Sequence, residues 1–115
     1  MDATLGERLN RTIMNKTENL YSALRGLEAN MQKLRNEECI LDYRIQEIFT
    51  DWMNAERFNR TINPDKKHSQ CRLVDLMNTR VAEIERRLRC QRALHASLMR
   101  VYEDLLRVQF AKFLN

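Results

Sequence analysis

Between Ile13 and Ala55 every seventh residue is apolar: Ile13, Leu20, Leu27, Leu34, Leu41, Ile48 and Ala55. A straight helix of about 3.6 residues per turn drifts off such a stripe. An unbroken seven-residue repeat therefore predicts a helix that coils around other helices. A companion stripe runs four residues on, through Thr17, Leu24, Met31, Glu38, Ile45 and Trp52. Together the two stripes make the alternating three-and-four spacing of a coiled-coil seam. Leu5 and Leu9 carry the apolar face toward the start. Gly26 weakens the helix by only about 1 kcal/mol against Ala.

The one strong break is the segment from Asn59 to Ser69, which contains Pro64. Proline in a helix interior loses a hydrogen bond and clashes with the preceding turn, but it suits the first helical position. The pattern thus predicts a helix over about 3–60, capped by Asp2 or Thr4, and a turn over about 61–68. A second helix follows, starting at Pro64 with Asn63 as its cap, or at about 69 with Ser69 in that role, and running to Leu114. Asp65 suits the positive end of such a helix.

The second helix repeats apolar residues at Val74, Met77, Val81, Ile84 and Leu88. It continues at Leu94, Leu98, Val101, Leu105 and Val108, less strictly. Two helices of similar length with a short connector predict an antiparallel hairpin. The fold class expected is all-α: a long antiparallel helical hairpin, or coiled coil, completed into a bundle by self-association or by partner helices.

Folding the chain back at Pro64 gives a register. Trp52 meets Leu76, Ile48 meets Val81, Ile45 meets Ile84 and Leu41 meets Leu88. Farther from the turn, Leu34 meets Leu94, Met31 meets Leu98, Leu24 meets Leu105 and Leu20 meets Val108. In this register Glu38 breaks the first seam where Gln91 breaks the second, with Arg92 and His95 within a turn. A polar layer of Glu38 with Gln91, Arg92 or His95 would fix register at some cost in stability. The competing reading places these residues in solvent where the seam drifts.

Composition narrows the function classes. Of 115 residues, 31% are charged and 7% aromatic, with two Gly and one Pro, a mixture suited to long helices. No stretch reaches the roughly 18 uncharged apolar residues of a membrane span. The first residues lack the apolar core of a signal peptide. Cys39, Cys71 and Cys90 are odd in number and form no CxxC pair. They read as reduced thiols of an intracellular protein, in the cytoplasm, cytoskeleton or nucleus, and Cys39 and Cys90 as buried small hydrophobes on or beside the seam. Cys39, Cys90 and His95 lack the short spacings of a zinc site, so no metal or other cofactor is expected. His68 and His95 have no nucleophile or carboxylate at a catalytic spacing, and paired helices offer few pockets. An enzyme is not expected.

Charge is uneven. Residues 1–60 hold nine basic and ten acidic residues, and residues 61–115 hold eleven and six. The densest basic stretch is Arg86, Arg87, Arg89 and Arg92. It offers phosphate contacts, but Glu83 and Glu85 interleave with it and no aromatics accompany it for base stacking. A solvated or partner-facing surface, suited to an acidic protein, is the stronger reading.

Apolar residues gather at both ends of the expected hairpin. Phe49, Trp52 and Phe58 lie by the turn, with Met53 and Ile62. Leu106, Phe110, Phe113 and Leu114 lie near the C-terminus with Tyr102. At helical spacing such residues usually mean core, but two helices alone cover them poorly. They are therefore candidate anchors for a partner.

The function expected is a non-enzymatic structural or adaptor subunit. It would bind coiled-coil proteins, or itself as a homodimer, within a cytoskeletal, centrosomal, kinetochore or chromosome-axis assembly. That placement is analogy at the level of fold. Two alternatives stand beside it: a basic helical nucleic-acid-binding protein, and a self-sufficient homodimeric four-helix-bundle scaffold.

Overall fold

The computed structural model describes residues 4–114, with side chains described through Ala111. It is an all-α helical hairpin of two helices, α1 (Leu5–Arg57) and α2 (Pro64–Leu114). The Asp2 cap and the side chains of Phe113 and Leu114 lie outside the described residues.

Local chemistry sets each terminus. Thr4 caps α1: its Oγ1 accepts from the Glu7 amide at 3.2 Å, while the Glu7 carboxylate accepts from the Thr4 amide at 3.4 Å. This reciprocal pair satisfies two donors that the first turn leaves unpaired. At the other end the Arg60 amide donates to the Ala55 carbonyl at 2.7 Å and the Asn59 amide to Glu56 at 3.2 Å. That pattern requires a left-handed residue, and Asn59 supplies it with φ of 52°. Asparagine tolerates this region better than most side chains. Asn63 then caps α2, accepting from the Asp65 amide at 2.9 Å, with Pro64 first in the helix. Of the two caps considered for α2, the structure uses Asn63. α1 stops at Arg57, three residues short of the expected Arg60, because Asn59 turns the chain.

The contacts divide the protein into two units. One combines α1 up to Met31 with α2 from Cys90, and the other is Gln32–Arg89. In the second unit Ile45, Val74 and Met77 form a buried cluster, with Leu41, Ile48, Trp52 and Val81 packed on it. Ile84 is fully buried, and Leu34 and Leu88 are also buried. In the first unit Leu24, Met31 and Thr17 are buried. The Thr17 hydroxyl is satisfied by donating to the Ile13 carbonyl at 2.8 Å.

The α1 seam lies where the pattern places it: both stripes from Ile13 to Ala55 are buried or half-buried. Burial is deeper on the companion stripe. Thr17, Leu24, Met31 and Ile45 are buried there, whereas only Leu34 of the first stripe is.

The register differs from the expected one. Trp52 is level with Gln70, donating its indole N–H to Gln70 Oε1 at 2.7 Å. Ile45 clusters with Val74 and Met77, not Ile84. In the other unit Tyr21 packs on Tyr102, with ring centroids 6.2 Å apart, and Glu28 meets His95. The partners on α2 sit about five to seven residues earlier than expected, a slip close to one heptad. The cause is the turn: the chain reverses around Thr61 rather than Pro64, and each residue of displacement at the turn moves the pairing by two.

The α2 seam changes with it. Beyond Leu88 the buried or half-buried residues are Gln91, His95, Leu98, Tyr102, Leu105 and Gln109. They keep the strict three-and-four spacing. Leu94, Val101 and Val108, expected in the seam, are 51%, 48% and 47% exposed. The α2 helix does not drift to follow its apolar residues; it accepts polar ones at core positions.

This register is testable by truncation. Ile84→Ala should cost about 2–5 kcal/mol of unfolding free energy in a denaturant titration. Leu94→Ala should change it by less than about 0.5 kcal/mol. Equal losses at the two positions would refute the observed register.

Candidate functional site

The polar side chains of the seam make separate pairs in each unit. Arg80 reaches across from α2 to Glu37 with two hydrogen bonds, at 2.8 and 2.9 Å. The paired geometry suits the planar guanidinium fork. The Arg80 bond holds the Glu37 carboxyl below its ordinary value of 4.5, and Glu37 in turn raises Arg80. Arg80 also meets Glu83 at 3.3 Å. In the other unit His95 Nε2 lies 3.1 Å from Glu28 Oε1. The His95 bond, followed by the charge of Arg25 at 3.5 Å, holds Glu28 below 4.5. Arg25 donates to the Tyr21 hydroxyl at 3.0 Å, so Tyr21, Arg25, Glu28, His95 and Tyr102 close one flank of that unit.

The expected polar layer is rearranged. His95 bonds Glu28 rather than Glu38. Glu38 is half-buried at the level of Ile84 within its own unit, and Gln91 is half-buried at the level of Met31 within its own. Gln91 Oε1 is buried and has no hydrogen-bond partner among the described residues. Arg92 is exposed.

The basic run does not form one face. On a helix Arg87 and Arg92 fall on opposite flanks of the seam, while Arg86 and Arg89 point outward. Glu83 binds both Arg87, at 2.7 Å, and Arg80. An arrangement that spreads cations around a helix and couples two arginines to one carboxylate suits a solvated surface better than a phosphate track.

The aromatic anchors near the turn divide into two kinds. Trp52 is half-buried, bonded to Gln70 and packed on the core cluster, so it belongs to the seam. Phe49 stands edge-on to it, with centroids 5.3 Å apart, and keeps 44% of its surface exposed. Phe58 is exposed, with the Arg57 and Arg60 guanidinium groups 5.7 and 5.6 Å from its ring centre. Toward the C-terminus Leu106 and Phe110 are exposed. Cys39, Cys71 and Cys90 are all free and exposed, so Cys39 and Cys90 are not buried beside the seam as expected. Their positions fall on the outer side of each helix once the register is set. Among the described residues no cluster of His, Cys, Asp or Glu is placed to hold a metal. No helix among them is long and apolar enough to cross a membrane.

One feature escaped the sequence pattern. In the unit that joins α1 up to Met31 with α2 from Cys90, the flank away from Tyr21 and His95 is open. A shallow groove there is lined by Lys16, Asn19, Leu20, Ala23, Val101 and Leu105. The available signal was the six-residue step from Leu88 to Leu94, which breaks the three-and-four alternation and marks where apolar residues leave the seam.

Two outcomes follow. Gln91→Leu removes a buried unpaired oxygen and should raise stability by about 1 kcal/mol, a rise in Tm of about 4–8 °C. The Glu28 and Glu37 carboxyls have folded values below 4.5. Their contribution is present above that pH and is lost as pH falls through it toward the folded values. Tm should therefore drop on acidification below about pH 5, and a Glu28→Gln, Glu37→Gln double variant should lose less over the same range. A parallel fall in both proteins would remove these pairs as contributors.

No protein-family model, no curated protein and no solved structure matches this chain.

Proposed function

We propose that this protein is a non-enzymatic helical subunit that binds other helical proteins within a larger assembly. The observation that carries the reading is apolar surface left over after the seam between α1 and α2 is complete. Leu94, Val101 and Val108 repeat at seven-residue spacing on the flank of α2, about half exposed. Leu106 and Phe110 add to them, and Phe49, Met53 and Phe58 are exposed in the other unit. A stripe at that spacing is of the kind that another helix covers by laying its own apolar face along it. Exposed apolar surface in this quantity marks an interaction site.

The polar pairs Glu28–His95 and Glu37–Arg80 bridge the two helices, as expected of side chains that fix the pairing of a helical subunit. Cytoskeletal, centrosomal, kinetochore and chromosome-axis complexes use helical subunits of this kind, and the likeness is one of architecture. Homodimerisation into a four-helix bundle would cover some of the same surface.

Light scattering after size exclusion, on the chain expressed alone, tests the proposal. The expected result is a mass above 13.8 kDa that rises with concentration, or poor solubility relieved by a partner helix. A monomer at every concentration, melting in one sharp transition, would count against it. A discrete dimer that excludes all other helices would favour the self-sufficient scaffold.

A further inference from the structure

The geometry points to the open groove beside Lys16 as the seat of a third helix, one that presents an apolar stripe with a carboxylate beside it. This inference rests on the subunit reading above and names the surface and the chemistry of its partner. The groove lies within one unit, between the start of α1 and the end of α2. Its floor is Leu20 and Leu105, both half-buried, and its walls are Ala23 and Val101.

The pairing extends it in both directions. In the register of Tyr21 with Tyr102 and Glu28 with His95, Val101 lies between the levels of Leu20 and Ala23. One heptad toward the C-terminus of α2, Val108 is level with about Met14 and Asn15; one heptad back, Leu94 is level with about Ala29. Leu94, Val101 and Val108 are exposed. The groove thus offers three successive levels at seven-residue spacing, matched to a helix of about 20 residues. Ala23 keeps the wall low.

Charge selects the occupant. Lys16 lines the groove and makes no ion pair among the described residues. No lining residue is acidic. Asp104, on the nearby rim of α2, is engaged by Arg107 at 3.4 Å. A symmetric contact between two copies sets each residue of the patch against the same patch. Groove against groove would therefore leave Lys16 facing apolar side chains or a second Lys16. A foreign helix carrying Glu or Asp beside its apolar stripe satisfies both the leucines and the lysine.

The test uses two labelled synthetic helices of about 21 residues, each with leucine at both seam positions of every heptad. One carries glutamate on its flanks, and the other carries lysine. Binding to the full chain is read by fluorescence anisotropy with the peptide at trace concentration. The glutamate peptide is expected to bind and the lysine peptide to bind at least about tenfold more weakly. Val101→Glu should weaken the glutamate peptide by about tenfold or more, and Lys16→Glu should reverse the preference. Both positions are exposed, so circular dichroism should show the helices intact in each variant. Binding that ignores both substitutions would overturn the groove while leaving the subunit reading in place. Failure of both peptides, with the chain dimeric in solution, would overturn the groove in favour of a second copy. The same failure with a monomeric chain would overturn the groove and the subunit reading together.

Discussion

The reversal between Arg57 and Pro64 governs the rest of the structure, because an apolar seven-residue repeat does not by itself select a register. Slide one helix past the other by a heptad and leucines still meet leucines and isoleucines. The seam supplies most of the favourable energy, since each fully buried aliphatic side chain contributes roughly 1.5–3 kcal/mol. Yet it is nearly indifferent to which of its repeats are paired. The left-handed turn at Asn59, followed at once by the Asn63 cap and Pro64, fixes where the fold-back occurs. The pairing within the Gln32–Arg89 unit follows from it.

Directional contacts then reinforce the choice. A hydrogen bond tolerates little displacement, so Trp52 with Gln70, Arg80 with Glu37 and His95 with Glu28 each favour the observed register. These contacts are half-exposed and add little energy on average. Their role is selection among alternatives that the apolar stripe leaves close in energy. Gln91, with its buried oxygen unpaired, lowers stability without adding a directional contact.

The register also decides what is surface. Gln91, His95, Tyr102 and Gln109 occupy seam positions, and Leu94, Val101 and Val108 are displaced to a flank. One flank of their unit is closed by Tyr21, Tyr102 and the Glu28–His95 pair. The other is left apolar, with a lysine in its midst. The same choice that completes the hairpin thereby creates a surface on which another helix can lie, and the protein's chemistry is concentrated in that asymmetry.

Fold class, the two helices and the whole α1 seam were legible in the sequence, and each cap was narrowed to two candidates, because periodicity, capping and proline chemistry act over a few residues. The exposed Phe58 and Phe110 were legible for the same reason: they stand off both stripes. Three things were not. The partner of Trp52 is Gln70, eighteen residues away, rather than Leu76. The pairing of Glu28 with His95 depends on residues 67 apart. The exposure of Leu94, Val101 and Val108 depends on the register of the entire hairpin. A periodic sequence determines which face of each helix is buried, but its own repetition makes neighbouring registers nearly equal in apolar contact. Only the folded turn, with the directional bonds it brings into reach, breaks that degeneracy and so decides which apolar residues are left for a partner.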